Sequence, residues 1–256
     1  MSFLEDLLAS TRTRVEEAKT KIRDEVLEQR IASMEAPRGF RRALEGRDVA
    51  IIAEIKRATP SKGDLAPDLD ARKTAAAYAD GGAAALSVLT EPDRFKGSLE
   101  DLEGARESGL PTLRKDFIID PFQVFESRAA GADAVLLIVR VVGDDLAALL
   151  KTAESLGMDA LVEVYDERDL DLAGEAGATL IGVNHRDLET FEVDPGRTAR
   201  LAPMLPDGAF LVALSGVSTR VEIAQLAAAG ARAVLVGEAL VTAADPAAVL
   251  RELRGA

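Results

Sequence analysis

A glutamate and a lysine occupy alternate positions where an apolar run ends, in the stretch AIIAEIKRATPSKG at residues 50–63. Residues two apart on a β-strand point to the same face, so Glu54 and Lys56 are expected to project together. A carboxylate beside an ammonium group can hold that cation in place for binding an anion or for transferring a proton. The spacing therefore predicts a positioned cation at the end of a strand.

Three further apolar runs end in residues that can carry out chemistry. They are Lys115, flanked by Arg114 and Asp116; Glu163; and Asn184, followed by His185 and Arg186. Two lysines that lie close together and partly out of water each disfavour the other's charge, which makes one a better proton donor near neutral pH. Glu163 could act as a base or a counter-ion, and Asn184 could hold a hydroxyl or carbonyl group without changing its protonation state. The set predicts acid–base chemistry on an anionic ligand.

Eight short apolar runs after residue 48 supply the elements that must position these side chains. Most are continuous rather than alternating, which is typical of parallel strands covered on both faces. Between them lie helical stretches rich in Ala, Leu and Glu, several of which end in glycine directly before the next run. The units recur about every 26 residues. The runs are VAIIAEIK, AALSVLT, PTLRKD, AVLLIV, DALVEV, LIGVN, FLVALSG and AVLVGE.

This alternation of strands and helices predicts a parallel sheet, and eight units in a chain of this length predict a closed (β/α)8 barrel, or TIM barrel. A doubly wound open sheet is the alternative, but it usually carries a G-x-G-x-x-G motif after its first strand, and this chain has none. We expect residues 1–256 to form a single barrel domain. Within it, residues 1–48 show helical periodicity and are predicted to be an N-terminal helical extension.

Glycines follow the last two apolar runs, in SGVST at residues 215–219 and VGEAL at residues 236–240. Phosphate sites of such barrels frequently lie in the loops after strands seven and eight, where backbone N–H groups approach the ligand. Either glycine alone could merely turn the chain. The two together, with lysines at the same end of the barrel, predict a phosphorylated, sugar-like ligand.

Composition and charge exclude several other classes of function. The net charge of −13 disfavours a nucleic-acid partner, and no apolar run approaches the roughly 20 residues of a membrane span. With no cysteine and a single histidine, His185, the chain offers neither a thiolate or His-rich metal site nor a Ser–His–Asp triad. We expect a cytoplasmic protein without a metal, either a monomer or a weak homodimer.

Several motifs taken together resemble one known family, the indole-3-glycerol-phosphate synthases of tryptophan biosynthesis, from about residue 40 to the end. The resemblance implies a (β/α)8 barrel that converts 1-(2-carboxyphenylamino)-1-deoxyribulose 5-phosphate into indole-3-glycerol phosphate, with loss of carbon dioxide and water. It also implies that no metal or organic cofactor is needed. The motifs are IAEIKRATPSKG, GGAAALSVLTEPDRFKGSLEDL, LRKDFIIDPFQ, GADAVLLIV, LVEV, IGVNHRDL, SGV and VLVGEAL.

The resemblance also implies a role for each catalytic candidate. Lys115 would be the general acid that polarises the ribulose carbonyl for ring closure, and Glu163 the base that assists dehydration. Lys56 would bind the anthranilate carboxylate and donate a proton as water leaves. Glu54 would hold a lysine in position, and Asn184 would orient the substrate hydroxyls.

The same resemblance assigns residues that bind the substrate without reacting. Residues 57–70 would form a mobile lid over the mouth. Phe117 and Leu136 would form apolar walls around the aromatic ring. The remaining predicted contacts are Thr59, Arg186, Leu214 and Ser215 for the substrate, and the backbone around Gly216, Gly237 and Glu238 for the phosphate.

The chain departs from the family pattern most clearly at Leu214, because most members carry Glu-Ser-Gly where this sequence has Leu-Ser-Gly. Leucine accepts no hydrogen bond, so the contact of that glutamate with substrate hydroxyls would be lost, about 1–3 kcal/mol. A barrel that binds the ligand without turning it over is therefore an alternative. A second alternative, phosphoribosylanthranilate isomerase, would share the terminal glycines. Its reaction needs a Cys/Asp acid–base pair, and the absence of cysteine from this chain argues against it. Lesser departures are His185 for asparagine and Thr59 for serine.

Overall fold

The computed structural model describes residues 2–46 and 48–255, and over these residues eight parallel strands close into a barrel. Each strand pairs with the next along the chain, and the first strand pairs with both the second and the last, through Ile52 with Ala85 and Ala50 with Ala233. The strands are β1 (Ala50–Ile55), β2 (Ala85–Leu89), β3 (Thr112–Lys115), β4 (Ala134–Ile138), β5 (Asp159–Val164), β6 (Leu180–Asn184), β7 (Phe210–Leu214) and β8 (Ala233–Val236). The prediction of a (β/α)8 barrel is confirmed.

Helices cover the outside of the barrel between the strands. Several begin where an Asp, Ser or Thr side chain accepts a hydrogen bond from a backbone N–H of the first turn, as Asp120 does from Phe122. They are α1 (Phe3–Lys21), α2 (Asp24–Ala32), α3 (Phe40–Ala43), α4 (Ala71–Asp80), α5 (Leu99–Ala105), α6 (Pro121–Ala129), α7 (Val139–Val142), α8 (Leu146–Ser155), α9 (Glu167–Glu175), α10 (Arg197–Leu201), α11 (Arg220–Ala228), α12 (Glu238–Val241) and α13 (Pro246–Arg254). Within the described residues, no helix is long and apolar enough to cross a bilayer.

Alternation along the strands divides the buried residues into two sets. One set, which includes Ile51 and Ala53, faces the helices and packs against their apolar sides. The other, which includes Ile52, Leu161 and Phe210, fills the barrel interior. Strand positions that continue the interior set toward the carboxyl ends of the strands are therefore the ones that can reach a site at the mouth.

The N-terminal extension reaches both ends of the barrel. Phe3, on α1, lies at the carboxyl ends of the strands, where Ser10 of the same helix donates a hydrogen bond to Asp93. At the opposite end, the backbone N–H of Arg41 on α3 donates to Asp159, the first residue of β5. The extension thus contributes residues to the mouth as well as closing the barrel floor, where Phe40 is fully buried.

Candidate active site

Two lysines flank one buried carboxylate at the mouth of the barrel. Glu54 is 3% exposed; Lys56 Nζ donates to its Oε1 at 2.6 Å, and Lys115 Nζ lies 3.6 Å from its Oε2. Burial alone would raise the pKa of Glu54, but the two ammonium groups outweigh it and lower that pKa. The carboxylate between the lysines also offsets their mutual repulsion.

Gly237 makes room for this ion pair. A Cβ at that position would lie 2.4 Å from Glu54 Oε1 and 2.7 Å from Lys56 Nζ, closer than side chains approach each other. A side chain directly after β8 would therefore displace the charged ends of Glu54 and Lys56. This steric role comes in addition to any contact of its backbone with a ligand.

A cavity of about 360 Å³ opens beside the lysines, within the range of small-molecule sites. Of the residues that the sequence predicted, Glu163, Leu136 and Leu214 do not line it; they are buried in the barrel interior, at 1–2% exposure. Their distance from the mouth depends on strand tilt, which alternation does not reveal. The predicted residues that line the cavity are Glu54, Lys56, Thr59, Lys115, Phe117, Asn184, Arg186, Ser215, Gly216, Gly237 and Glu238.

Apolar side chains that the sequence analysis did not assign to the site form much of the cavity wall. Phe3 comes from α1, and Phe95, Leu188 and Phe191 come from loops after the strands. The rings of Phe3 and Phe191 pack edge to face, with centroids 5.1 Å apart. No local signal marks these residues, because Phe3 and Phe191 are distant in sequence and meet only in the folded chain.

Glu163 is joined to the cavity through a residue that the sequence analysis also missed. The Tyr165 hydroxyl donates to Glu163 Oε1 and accepts from Asn184 Nδ2 at 3.2 Å. Glu163 Oε2 is buried and, over residues 2–46 and 48–255, has no hydrogen-bond partner. The signal was available, because Glu163 on β5 and Tyr165 directly after it are two residues apart, as are Glu54 on β1 and Lys56 directly after it.

The loop after β7 holds an unusual backbone. Ser215 and Gly216 have φ angles of 65° and 73°, in the left-handed region. His185 Nδ1 lies 3.1 Å from the Ser215 carbonyl, which can only accept, so Nδ1 carries the proton and Nε2 accepts from Thr198 at 2.7 Å. Burial lowers the pKa of His185, which keeps the ring neutral. His185 thus fixes this loop.

A small hairpin, Ala58–Thr59 paired with Gly63–Asp64, lies in the loop after β1 and borders the cavity. Lys62 at its tip forms an ion pair with Glu238, the first residue of α12. Asp64 pairs with Lys96 of the loop after β2 at 2.6 Å. The Glu238 side chain therefore bonds to this hairpin. Among the described residues, no group of His, Cys, Asp and Glu could hold a metal ion.

The fold and the site define a (β/α)8 barrel with a lysine–carboxylate centre at the carboxyl ends of its strands. The family model for indole-3-glycerol phosphate synthase matches residues 4–253, nearly the whole chain. The chain therefore belongs to the indole-3-glycerol phosphate synthase family.

Curated relatives agree with this family. The chain is 49% identical over 257 residues to an indole-3-glycerol phosphate synthase of Parafrankia sp. (strain EAN1pec), covering 99% of this chain and 95% of the relative. It is 48% identical over 265 residues to the protein of that name from Roseiflexus sp. (strain RS-1), covering 99% and 98%. Among solved structures, the thiamine phosphate pyrophosphorylase from Pyrococcus furiosus superposes with a TM-score of 0.62 at 17% identity, over 81% of this chain and 94% of that one, a likeness of fold alone.

Proposed function

We propose that the protein is an indole-3-glycerol-phosphate synthase, a carboxy-lyase that closes the indole ring of 1-(2-carboxyphenylamino)-1-deoxyribulose 5-phosphate. The observation that carries the proposal is the Glu54 carboxylate between Lys56 and Lys115 at the cavity mouth, in a chain of this family. Both lysine side chains are partly buried, at 15% and 20% exposure, and both line the cavity. Two proton donors beside one ligand suit a reaction with two steps that need an acid.

Ring closure is the first of these steps. The ring carbon that carries the carboxylate attacks the ketose carbonyl carbon, and Lys115 gives a proton to the carbonyl oxygen as the carbon–carbon bond forms. Carbon dioxide then leaves, and its bonding electrons restore the aromatic ring. Lys56 binds the carboxylate before it leaves, and Glu54 holds Lys56 by the 2.6 Å hydrogen bond.

Dehydration completes the indole. The new hydroxyl leaves as water with a proton from Lys56, and Glu163 takes a proton from the neighbouring carbon as the double bond forms. This role requires the substrate to reach past the present cavity lining to the buried Glu163. The two acids give up two protons and the base receives one, so solvent supplies one proton per turnover. That balance matches the conversion of a carboxylate into neutral carbon dioxide. We expect no metal or organic cofactor, as the sequence resemblance implies.

The remaining lining residues would hold the substrate. Phe117, with the neighbouring rings of the cavity wall, suits the aromatic ring. Asn184 would orient the hydroxyls of the chain, with Thr59, Arg186 and Ser215 as further contacts. The backbone of Gly216, Gly237 and Glu238 would hold the phosphate, because these residues border the cavity on the side of the last two loops. A cytoplasmic monomer or weak homodimer remains our expectation.

The test is conversion of the carboxyphenylamino-deoxyribulose phosphate by the purified protein, followed by indole fluorescence. We expect turnover by the wild type and its loss in Lys56→Ala and in Lys115→Ala, with Lys151→Ala, an exposed lysine on α8, as the matched control. Wild-type turnover by either site variant would refute the assigned role. The alternative of a barrel impaired by Leu214 has no support from the family match; tight binding without turnover is the result that would revive it.

A further inference from the structure

The proposed chemistry gives no role to Tyr165, although its hydroxyl contacts two residues of the site. The side chain is 2% exposed and, directly after β5, packs with the residues that fill the barrel interior. Its hydroxyl donates to Glu163 Oε1 and accepts from Asn184 Nδ2. Asn184 lines the cavity and Glu163 does not, so the phenol connects the cavity wall to the buried carboxylate.

The backbone of Arg186 fixes the direction of the hydrogen bonds that link Asn184, Tyr165 and Glu163. The backbone N–H of Arg186 can only donate, and it lies 3.0 Å from Asn184 Oδ1, so that atom is the amide oxygen. Asn184 Nδ2 must then donate to the Tyr165 oxygen. Because the phenol has one proton, that proton points to Glu163 Oε1. The partner that fits this donor is an ionised carboxylate, which accepts at both oxygens.

Two guanidinium groups lie against the phenol ring, and the backbone of Tyr165 is held as well. The guanidinium carbons of Arg140 and Arg197 lie 4.5 Å and 5.7 Å from the ring centroid, distances typical of cation–π contacts. The Tyr165 backbone N–H donates to Asp169 at 2.9 Å. Burial, together with the nearby Glu163 charge, raises the pKa of Tyr165 well above its ordinary value, so the phenol keeps its proton. A buried donor that keeps its proton is suited to fixing another group.

We propose that Tyr165 is the positioning residue for Glu163: its hydroxyl occupies Oε1 and leaves Oε2 as the oxygen that takes the substrate proton. This inference rests on the role of Glu163 in the proposed function. Glu163 Oε2 is buried and has no hydrogen-bond partner among the described residues, so it is the oxygen of this carboxylate that is left to accept a proton. The tyrosine touches neither the cavity nor the reacting atoms and acts only through the carboxylate.

The principal test is Tyr165→Phe, which removes only the hydroxyl. We expect kcat to fall about tenfold or more, because general-base steps depend on the placement of the base, while KM stays within about twofold. Tyr78→Phe is the matched control: Tyr78 is the other tyrosine of the chain, also buried, and its hydroxyl donates to the backbone carbonyl of Glu54 at 3.2 Å. That variant should lose stability and keep its kcat.

A double-mutant cycle separates positioning from general stability. In single-turnover measurements with excess enzyme, adding Tyr165→Phe to Glu163→Gln should change the residual rate less than about twofold, since the base is already absent. An equal loss in both backgrounds, or an unchanged kcat in Tyr165→Phe alone, would overturn the inference and leave the proposed function standing. Absence of wild-type turnover would overturn both.

If the phenylalanine variant does not fold, 3,5-difluorotyrosine placed at position 165 keeps the shape and the hydroxyl but gives a more acidic phenol. Charged groups around the ring are Glu163, Arg140, Arg197 and Asp169. The more acidic phenol donates a stronger hydrogen bond and draws charge from Glu163, which makes that carboxylate a weaker base. The kcat should therefore fall while KM stays unchanged, and an unchanged kcat would contradict the proposal.

Discussion

Lys56 and Gly237 occupy adjacent space at the barrel mouth, since a Cβ on Gly237 would lie 2.7 Å from Lys56 Nζ. The two residues come from opposite ends of the sheet in sequence and are brought together because β1 pairs with β8. The residue directly after the last strand therefore limits the space open to the catalytic candidate directly after the first strand.

Gly237→Ala should displace the Lys56 ammonium group and weaken its 2.6 Å hydrogen bond to Glu54. We expect kcat/KM to fall by about 10- to 100-fold, because small displacements of reacting groups have effects of this size. Indole fluorescence measures it. Gly104→Ala on α5 is the control, since a Cβ there has only ordinary contacts at 3.9 Å. Alanine also has a higher helix propensity than glycine. Equal activity of both variants would show that the ion pair tolerates the methyl group.

Glu54→Gln should make the unfolding free energy less dependent on acid pH. The folded-state pKa of Glu54 is depressed: burial opposes this, but Lys56 and Lys115 outweigh it. The stabilisation is therefore present above the unfolded pKa of about 4.3 and is lost as pH falls through the lower, folded pKa. Urea unfolding at a series of pH values from 7 down to 3.5 should show the wild type and Glu54→Gln converging at the acid end.

The control for that titration is Glu154→Gln on α8, where the glutamate is exposed. Its difference from the wild type should stay small over the same pH series. A gap between the wild type and Glu54→Gln that stays constant from pH 7 to 3.5 would show that the lysines do not stabilise the charged form of Glu54.

Lys62→Ala should loosen the hairpin over the cavity by breaking its ion pair with Glu238. Both side chains are about half exposed, so the pair contributes at most about 1 kcal/mol, and kcat/KM should fall no more than about fivefold. Cleavage by added protease within residues 57–70 should become faster. Reversing both charges, Lys62→Glu with Glu238→Lys, should restore part of the protection; protease resistance unaffected by any of these changes would argue against the contact in solution.

The fold was predictable because its signals are local. Each of the eight strands coincides with an apolar run in the sequence, and glycines mark many of the turns before them. The shared face of Glu54 and Lys56 follows from alternation alone. The same rule applies to Glu163 and Tyr165, but a tyrosine next to an apolar run is normally a core residue, and one of its two hydroxyl partners, Asn184, comes from another strand.

The depth of a residue along the barrel axis was not predictable in the same way. Leu136 and Leu214 face the interior, as alternation requires, yet neither lines the cavity, because strand tilt and stagger set which interior positions reach it. Phe3 and Phe191 were missed for a different reason, since their contact depends on where the N-terminal helix packs. The hydrophobic periodicity and the composition of the sequence carry no information about where that helix packs.

Substitutions at position 214 test whether leucine, in place of the family's usual glutamate, serves packing rather than substrate contact. A Cβ on Gly182 would meet Leu214 Cδ1 at 2.7 Å and Leu161 Cδ1 at 3.2 Å, so the leucine fills the space that the glycine leaves open. Leu214→Ala should therefore cost about 2–5 kcal/mol of unfolding free energy, as truncations of buried leucines do. Urea unfolding measures it.

Leu214→Glu separates packing from ligand contact at the same position. The carboxylate would enter an interior lined by apolar groups, so we expect lower stability than in the wild type, by about 1–3 kcal/mol or more, together with little gain in affinity for the substrate. Val212→Ala on the same face of β7 is the packing control, because it removes buried carbons without adding charge. Should Leu214→Glu instead keep full stability and lower KM markedly, then position 214 reaches the ligand, and the leucine costs the wild-type protein a substrate contact.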